Sequence, residues 1–370
     1  MNPEITKAHE ELEKLIEQHD DPDYLLNNEV KDPNCDPSNP KFVDQMAIWD
    51  AFSLMRRVQA DIKKTPCSLS RLSEQLDMEL YFKKDFMQVT GSFKERGARY
   101  FCEKLSKPER DAGVVTASAG NHAQALARHG KITGTNATVV MPVSTPLIKV
   151  DSCRALGANV IQHGTSFAHA KSMAMHIAKK TGATYVNGYD HPHIIAGQGS
   201  MGIEILEDVP DLDYIVCPIG GGGLIAGIAS AVKFLRPNVK IIGVESTRTP
   251  SWTTAVSNGS PTLCDKTVNG SSQTIADGLS VPFVGVNAFR TAASLIDKVV
   301  QIDEDWIAMA ILRNFWKARR KILIARSTNK KFVEGKIFFH FSKKKCLFTI
   351  YIKKQTKSTR PNRHTKDLKK

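Results

Sequence analysis

Lys94 stands in the stretch TGSFKERGA (90–98), between an aromatic and an acid, just after Thr-Gly-Ser and just before Arg-Gly-Ala. As a helix start the stretch is readable: Ser92 could cap, Glu95 falls three residues on as in a capping box, and Gly97 and Ala98 permit close packing. That reading leaves Lys94 unexplained. A lysine in a first helical turn lies near the positive end of the helix dipole, so it either points into water or has its pKa lowered for chemistry. A second stretch, PIGGGGLIAG (218–227), puts four glycines between an apolar run and a helical one. Their backbone N–H groups, with a helix N-terminus behind them, form a nest for an anion, most often phosphate. The competing reading is a glycine turn that only needs tight packing, but four consecutive glycines cost considerable backbone entropy. No Gly-Lys-Ser/Thr follows, so it is not a nucleotide P-loop. A third stretch, TASAGNHAQALA (116–127), places Ser118, Gly120, Asn121 and His122 at another helix start. Hydroxyl, amide and imidazole donors there suit a carboxylate, although alone Asn121 reads as an ordinary cap and His122 as an exposed first-turn histidine.

Together the three stretches supply a lysine nucleophile, a phosphate nest and a carboxylate pocket. A lysine that condenses with an aldehyde beside a bound phosphate is what pyridoxal 5'-phosphate requires. With Thr65-Pro66, GQGSMGIEIL (197–206) and TIADGLSV (274–281) added, the chain from about Ala47 to about Leu312 resembles the fold-type II pyridoxal-phosphate enzymes. Within them it is most similar to the threonine/serine dehydratases and the related serine racemases.

The resemblance implies a two-domain α/β fold like that of the tryptophan synthase β-chain, and pairing into a homodimer. It implies that Lys94 holds the cofactor and later acts as base at Cα. Phe93 would flank the ring and Asn121 would bond its 3-hydroxyl. Gly220, Gly221, Gly222, Gly223 and Leu224 would cradle the phosphate, and Ser118, Asn121 and His122 would take the substrate carboxylate. The implied reaction is β-elimination of water from L-threonine or L-serine, followed by release of ammonia and a 2-oxo acid, a step of amino-acid breakdown. Serine racemases carry a serine where this chain has Ala119, which has no proton to give, so elimination is expected to dominate. Their divalent-metal site is matched by Glu245 but not by Ser251, and no metal is expected.

The elements that must position these residues follow a strand–helix rhythm. VVTAS (114–118), ATVVM (137–141), NVIQH (159–163) and TYVN (184–187) read as strands. The helices between them read as 121–130, closed by Gly130, then 147–156 and 166–180. A second series runs through YIVCPI (214–219), the helix 224–235 and KIIGVE (240–245). Such units imply parallel sheets covered by helices on both faces. The organisation expected is an acidic extension over 1–42, loosely attached, and a large cofactor-binding domain from 43–112 and 191–313. A small domain over 113–190 and a basic tail over 314–370 complete it.

Charge separates these parts. Residues 314–370 hold 19 Lys/Arg against 2 Asp/Glu, whereas the first 40 residues hold 11 acids and 3 lysines. No apolar run is long enough to span a membrane, and the opening MNPEITKAHEELEK has acids where a secretory signal has bases. Seven cysteines without a CxxC pair suit reduced thiols in the cytosol.

After about Arg313 the likeness stops. The family continues to a Ser-Gly-Gly-Asn whose serine faces the pyridine nitrogen, and to a helix and strand of the large domain; nothing here resembles that motif. An absent strand would leave an unpaired edge and exposed apolar surface. The tail reads either as a basic arm for nucleic acid or anionic lipid, or as a replacement C-terminus with no evolved role. FFHF and CLFTIYI alternate poorly with their surroundings, which favours the second. A serine racemase-like enzyme, and a catalytically silent form that binds the cofactor or pairs with a full-length subunit, are the alternatives.

Overall fold

In the computed structural model, described over residues 25, 29–264, 274–318 and 349–354, strands that are apolar on both faces lie between layers of helices. The chain enters through helix α1 (Gln45–Arg57), strand β1 (Cys67–Leu69), the short α2 (Ser73–Leu76), β2 (Met78–Lys83), α3 (Lys94–Lys104) and α4 (Lys107–Ala112). It then builds a smaller sheet from β3 (Val114–Ala117), α5 (Asn121–Thr133), β4 (Ala137–Met141), α6 (Leu147–Ala155), β5 (Asn159–Gln162), α7 (Phe167–Thr181) and β6 (Thr184–Tyr185). The return runs through α8 (Pro192–Asp208), β7 (Tyr214–Pro218), α9 (Gly223–Leu235), β8 (Lys240–Ser246), α10 (Ser251–Ser257), α11 (Val286–Ala292) and β9 (Lys298–Ile302). Helix α12 (Glu304–Ala318) and strand β10 (Thr349–Lys354) follow.

The smaller sheet has the order β5-β4-β3-β6, parallel throughout. Its strands alternate faces as the period of two requires: Val140 packs with Met173 and Ile177, whereas Val139 and Met141 pack with Val150 and Cys153. The larger sheet has the order β1-β2-β10-β7-β8-β9. Here Ile215 and Ile241 face a core with Ile48, Ile195 and Ile225, while Val216 and Val244 face Leu80 and Ile307. Only β7, β8 and β9 are mutually parallel; β1, β2 and β10 pair antiparallel.

Three sequence expectations change. Helix α5 does not stop at Gly130 but runs to Thr133, where Gly134 takes φ +71° and ends it. Gly130 serves another purpose: a Cβ there would come within 2.8 Å of the Thr135 carbonyl as the chain folds back. Residues 29–43 are not loosely attached, since Lys41 and Val43 donate backbone N–H groups to Asn287 and Thr291 of α11. The unpaired edge expected from the divergent tail is filled by β10, which pairs with β2 on one side and β7 on the other. The remainder of 314–370 beyond Ala318, like residues 1–24 and 26–28, lies outside the described residues.

Candidate active site

Lys94 opens α3, and its two neighbours are locked in opposite directions. The buried Glu95 carboxylate accepts from Arg128 Nη1 at 2.8 Å, lies 3.1 Å from His129 Nε2, and takes the Thr90 N–H. Arg96, with no exposed side-chain surface, is bidentate to two carboxylates. It reaches Asp85 at 2.7 and 3.0 Å and Glu204 of α8 at 2.7 and 2.8 Å. Lys83 adds a second cation 2.7 Å from Glu204. So α3 is clamped to α5 on one side and to α8 on the other, and Lys94 is left facing the space between. At the crossing with α8, Gly97 leaves room for Gln198 and the Ile194 carbonyl, which a Cβ would meet at 2.5 and 2.8 Å.

The expected capping box is not formed. The N-cap position is Phe93, without a side-chain cap, and the Ser92 hydroxyl accepts the Lys94 N–H at 3.3 Å. Arg128 draws Glu95 away, because a charge-assisted bond outweighs a hydroxyl cap.

The Lys94 amine donates to the Gly188 carbonyl and lies 5.2 Å from the centre of the buried Phe93 ring. Burial lowers its pKa to about 8. At pH 7 about a tenth of such amines are neutral, against about one in several thousand for an unperturbed lysine. A buried amine with a lowered pKa is the second of the two fates that its place at a helix start allows.

A cavity of about 560 Å³ brings the three stretches together. One wall is the glycine loop. Gly222 has φ +91°, open to glycine without strain, and Gly223 begins α9. The Tyr189 ring lies flat against the loop: a Cβ on Gly221 would sit 2.3 Å from it, and one on Gly223 would sit 2.1 Å from the Tyr189 carbonyl. Gly285 donates to the Gly221 carbonyl at 3.0 Å. Among the described residues, no protein group accepts the backbone N–H of Gly220, Gly221, Gly222, Gly223 or Leu224. Donors without protein acceptors at a helix N-terminus are suited to an anion.

Opposite, Ser118, Ala119, Asn121 and His122 line the cavity at the turn from β3 to α5. Helix α5 starts at Gly120 with no side-chain cap, and Ser118 Oγ accepts the Gly120 N–H at 3.3 Å. Asn121 is thus the first helical residue rather than the cap. His122 is buried, not exposed, and burial beside the Lys94 charge drives its pKa down to about 3, so the ring is neutral. Phe93, Lys94, Ser118, Asn121, His122 and Gly220–Leu224, the residues given roles from the sequence, all line this one cavity, whereas Gly120 does not.

Sequence reasoning missed the segment VNGYD. Asn187, Gly188 and Tyr189 line the cavity, as do Lys171 and Phe167 of α7. A carbonyl that receives a lysine leaves no mark in residue types, and an aromatic after a short strand is ordinary core material. TIADGLSV was noticed as a motif without a role; its Asp277–Val281 portion forms a wall. Glu245 is committed elsewhere: its buried carboxylate accepts the Trp252 and Thr253 N–H groups at 2.9 and 3.2 Å and starts α10. No helix among the described residues is long and apolar enough to cross a membrane.

The chain belongs to the pyridoxal-phosphate-dependent enzymes, whose family pattern matches residues 58–331. It is 42% identical over 268 residues to the L-threonine ammonia-lyase of Thermotoga maritima, covering 72% of this chain and 66% of that protein. It is 38% identical to the biosynthetic L-threonine dehydratase of Haemophilus influenzae, covering 77% of this chain and 54% of that one. The chain therefore spans less than two thirds of the length of these curated relatives. Among solved structures, processed threonine deaminase isoform 2 of Solanum lycopersicum superposes with a TM-score of 0.69 at 36% identity, covering 77% of this chain and 78% of that one. Maize serine racemase also superposes at 0.69, with 30% identity and coverages of 74% and 81%.

The cavity fits the family's cofactor. A buried, readily deprotonated amine suits an aldehyde, five unpartnered N–H groups suit a phosphate, and the bare glycines leave space that side chains would fill.

Proposed function

We propose that this chain is a pyridoxal-phosphate-dependent threonine/serine ammonia-lyase. It would remove water from L-threonine or L-serine and release ammonia with a 2-oxo acid, a degradative step for the amino acid. The observation that carries the reading is one cavity joining the Lys94 amine to the unpartnered N–H groups of Gly220–Leu224. Relatives at about this similarity are named L-threonine ammonia-lyase.

The cofactor supplies an electron sink that makes the substrate's α-proton removable. The chain's own residues do the rest. Lys94, neutral in a useful fraction of molecules, would hold the cofactor through its aldehyde and, once displaced there by the substrate amine, would take the α-proton on its Nζ. The uncapped start of α5, with Ser118, Asn121 and neutral His122, holds the substrate carboxylate. Phe93 bounds the site on the side of Lys94, and Asn121 would bond the cofactor's 3-hydroxyl. The Gly220–Leu224 donors would hold the cofactor phosphate.

Ala119 separates this reading from the racemase one. Racemisation needs a proton donor on the face opposite the lysine, and at the cavity wall beside Ser118 this chain offers a methyl group. The six cysteines among the described residues are all free, which supports a reducing compartment such as the cytosol.

The test is ammonia and 2-oxo acid release from L-threonine and L-serine, with D-serine formation followed in parallel. Elimination with little D-serine is expected. D-serine as the main product would make the chain a racemase, and cofactor binding without either product would make it the silent form.

A further inference from the structure

The polypeptide between the two sheets is tied from outside the cavity by a segment that no part of the mechanism uses. Leu25 is fully buried in the core of the smaller sheet, and its carbonyl accepts from Ser172 Oγ of α7 at 2.6 Å. Val30 packs against the same core. Some ten residues on, the chain has reached the other half: Lys41 N donates to Asn287 Oδ1 at 2.6 Å and Val43 N to Thr291 Oγ1 at 3.1 Å. The segment therefore straps the smaller-sheet half to the larger.

Under this strap lies the connection from β6 to α8. Asn287, fully buried, has every side-chain hydrogen-bonding group engaged there that the strap and the connection meet. Its Nδ2 donates to the Asn34 carbonyl at 2.6 Å and to the Asp190 carbonyl at 2.8 Å, while its Oδ1 holds Lys41. Asp190, 2% exposed, accepts the N–H groups of Val286, Asn287 and Ala288, each at 2.9 Å. It lies so close to Gly285 that a Cβ there would meet its Oδ1 at 2.2 Å. Asn187 Oδ1 closes the turn by accepting from Tyr189 and Asp190 N–H at 3.1 Å. Besides Asn187 itself, the two residues held inside the turn touch the site. The Gly188 carbonyl receives the Lys94 amine, and Tyr189 lies against Gly221 and Gly223.

We propose that Asn287 and Asp190, tied to the strap Asn34–Lys41, are positioning residues that fix residues 187–190 and so hold the Gly188 carbonyl at Lys94 and Tyr189 against the glycine loop. The proposal rests on the reading that Lys94 and that loop hold the cofactor. Its physical basis is that buried amide and carboxylate groups are costly to leave unpaired, so the network has one low-energy arrangement. The strap acts at a distance: Asn34 and Lys41 touch Asn287, not the cavity.

The test uses the full chain and two variants. Asn287→Ala removes the three side-chain hydrogen bonds that join the strap to the connection. Lys41→Pro removes the N–H that Asn287 Oδ1 accepts, together with the exposed Lys41 Nζ bond to Asn34 Oδ1 at 3.1 Å, and keeps the fold if the first variant does not. Backbone amide hydrogen exchange is measured without added cofactor, and pyridoxal phosphate affinity by equilibrium dialysis. The expected result is exchange about tenfold faster at the hydrogen-bonded amides of Tyr189 and Asp190 for Asn287→Ala, with a smaller rise for Lys41→Pro. The dissociation constant should rise in the same order, while exchange in β4 and β8 stays at the wild-type rate. Uniformly faster exchange across the protein, or unchanged exchange at Tyr189 and Asp190, would overturn the proposal. If the unmodified chain binds no pyridoxal phosphate, the functional reading fails; the exchange comparison still decides the strap.

Discussion

The two sheets reach the cavity by different routes. The smaller one is built from consecutive strand–helix units, all parallel: β3, β4 and β5 pair in sequence order, and β6 returns to the other edge of β3. The larger one is parallel only in β7–β8–β9, and its far side is completed by β2 from the first quarter of the chain and β10 from the last. Where pairing is local, alternation and turn chemistry suffice to specify a strand. Where a strand is defined by partners far away in sequence, its own residues say little. TIYIKK earns a place in the sheet by lying between β2 and β7, with Tyr351 opposite Tyr81 and Ile215.

The largest effect that would sharpen this contrast concerns the point where both halves meet. On the proposed role of Lys94 as both base and cofactor anchor, Lys94→Ala is expected to lower ammonia release by roughly 10³-fold or more. Steady-state assays with L-threonine check it; a residual rate within tenfold of the parent would remove Lys94 from the mechanism.

Next comes Arg96→Ala. It strands Asp85 and Glu204 without their shared guanidinium, and the expected loss is about 3–5 kcal/mol in urea unfolding. The larger-sheet half should suffer first, because both carboxylates belong to it. A loss under about 1 kcal/mol would mean the clamp on α3 is redundant with Lys83.

A proline at Ile352 probes the reversed strand. It deletes a ladder donor in a strand paired on both sides, so a cost of about 1–3 kcal/mol is expected. An unchanged unfolding midpoint would show that β10 contributes nothing to the sheet.

The pH dependence of cofactor capture follows from the buried amine. Only neutral Lys94 attacks an aldehyde, so the capture rate should rise about tenfold per pH unit at low pH and level off above about 8, the lowered pKa. The same shift has a sign for stability. The folded amine gives up its proton near 8 while the unfolded one keeps it to about 10.4, so the cofactor-free protein should gain stability as pH climbs between those values. Stopped-flow absorbance follows the first and pH-dependent melting the second.

The smallest effect is expected at Asp297, a partly exposed acceptor for Lys233 and Lys240 at the start of the β8–β9 pair. Asp297→Asn should cost less than about 1 kcal/mol, and less still at high salt.

Much of this was readable in the residues. The strands β3, β4, β5, β7 and β8 fall within a residue or two of where apolar runs and flanking glycines put them. The three chemical stretches converge as their types suggested, because lysine, consecutive glycines and a cluster of small polar donors each have few uses at a helix start. What could not be read depends on tertiary partners. The Glu95 carboxylate prefers Arg128 to a cap, Gly130 makes room rather than a stop, and the Gly188 carbonyl has no side chain to betray its role. The acidic, proline-rich run before α1 looks like a linker because its contacts are made by backbone groups of Asn34 and Lys41 to one buried asparagine.

The decisive measurement is to load the purified chain with pyridoxal phosphate, reduce with borohydride, digest, and find the modified lysine by mass spectrometry. The cavity contains two lysines, Lys94 and Lys171. Modification of Lys94, with Lys171 untouched, is the expected result. A cofactor fixed to Lys171, or a folded protein with no fixed cofactor at all, would contradict the assignment of Lys94 and the chemistry built on it.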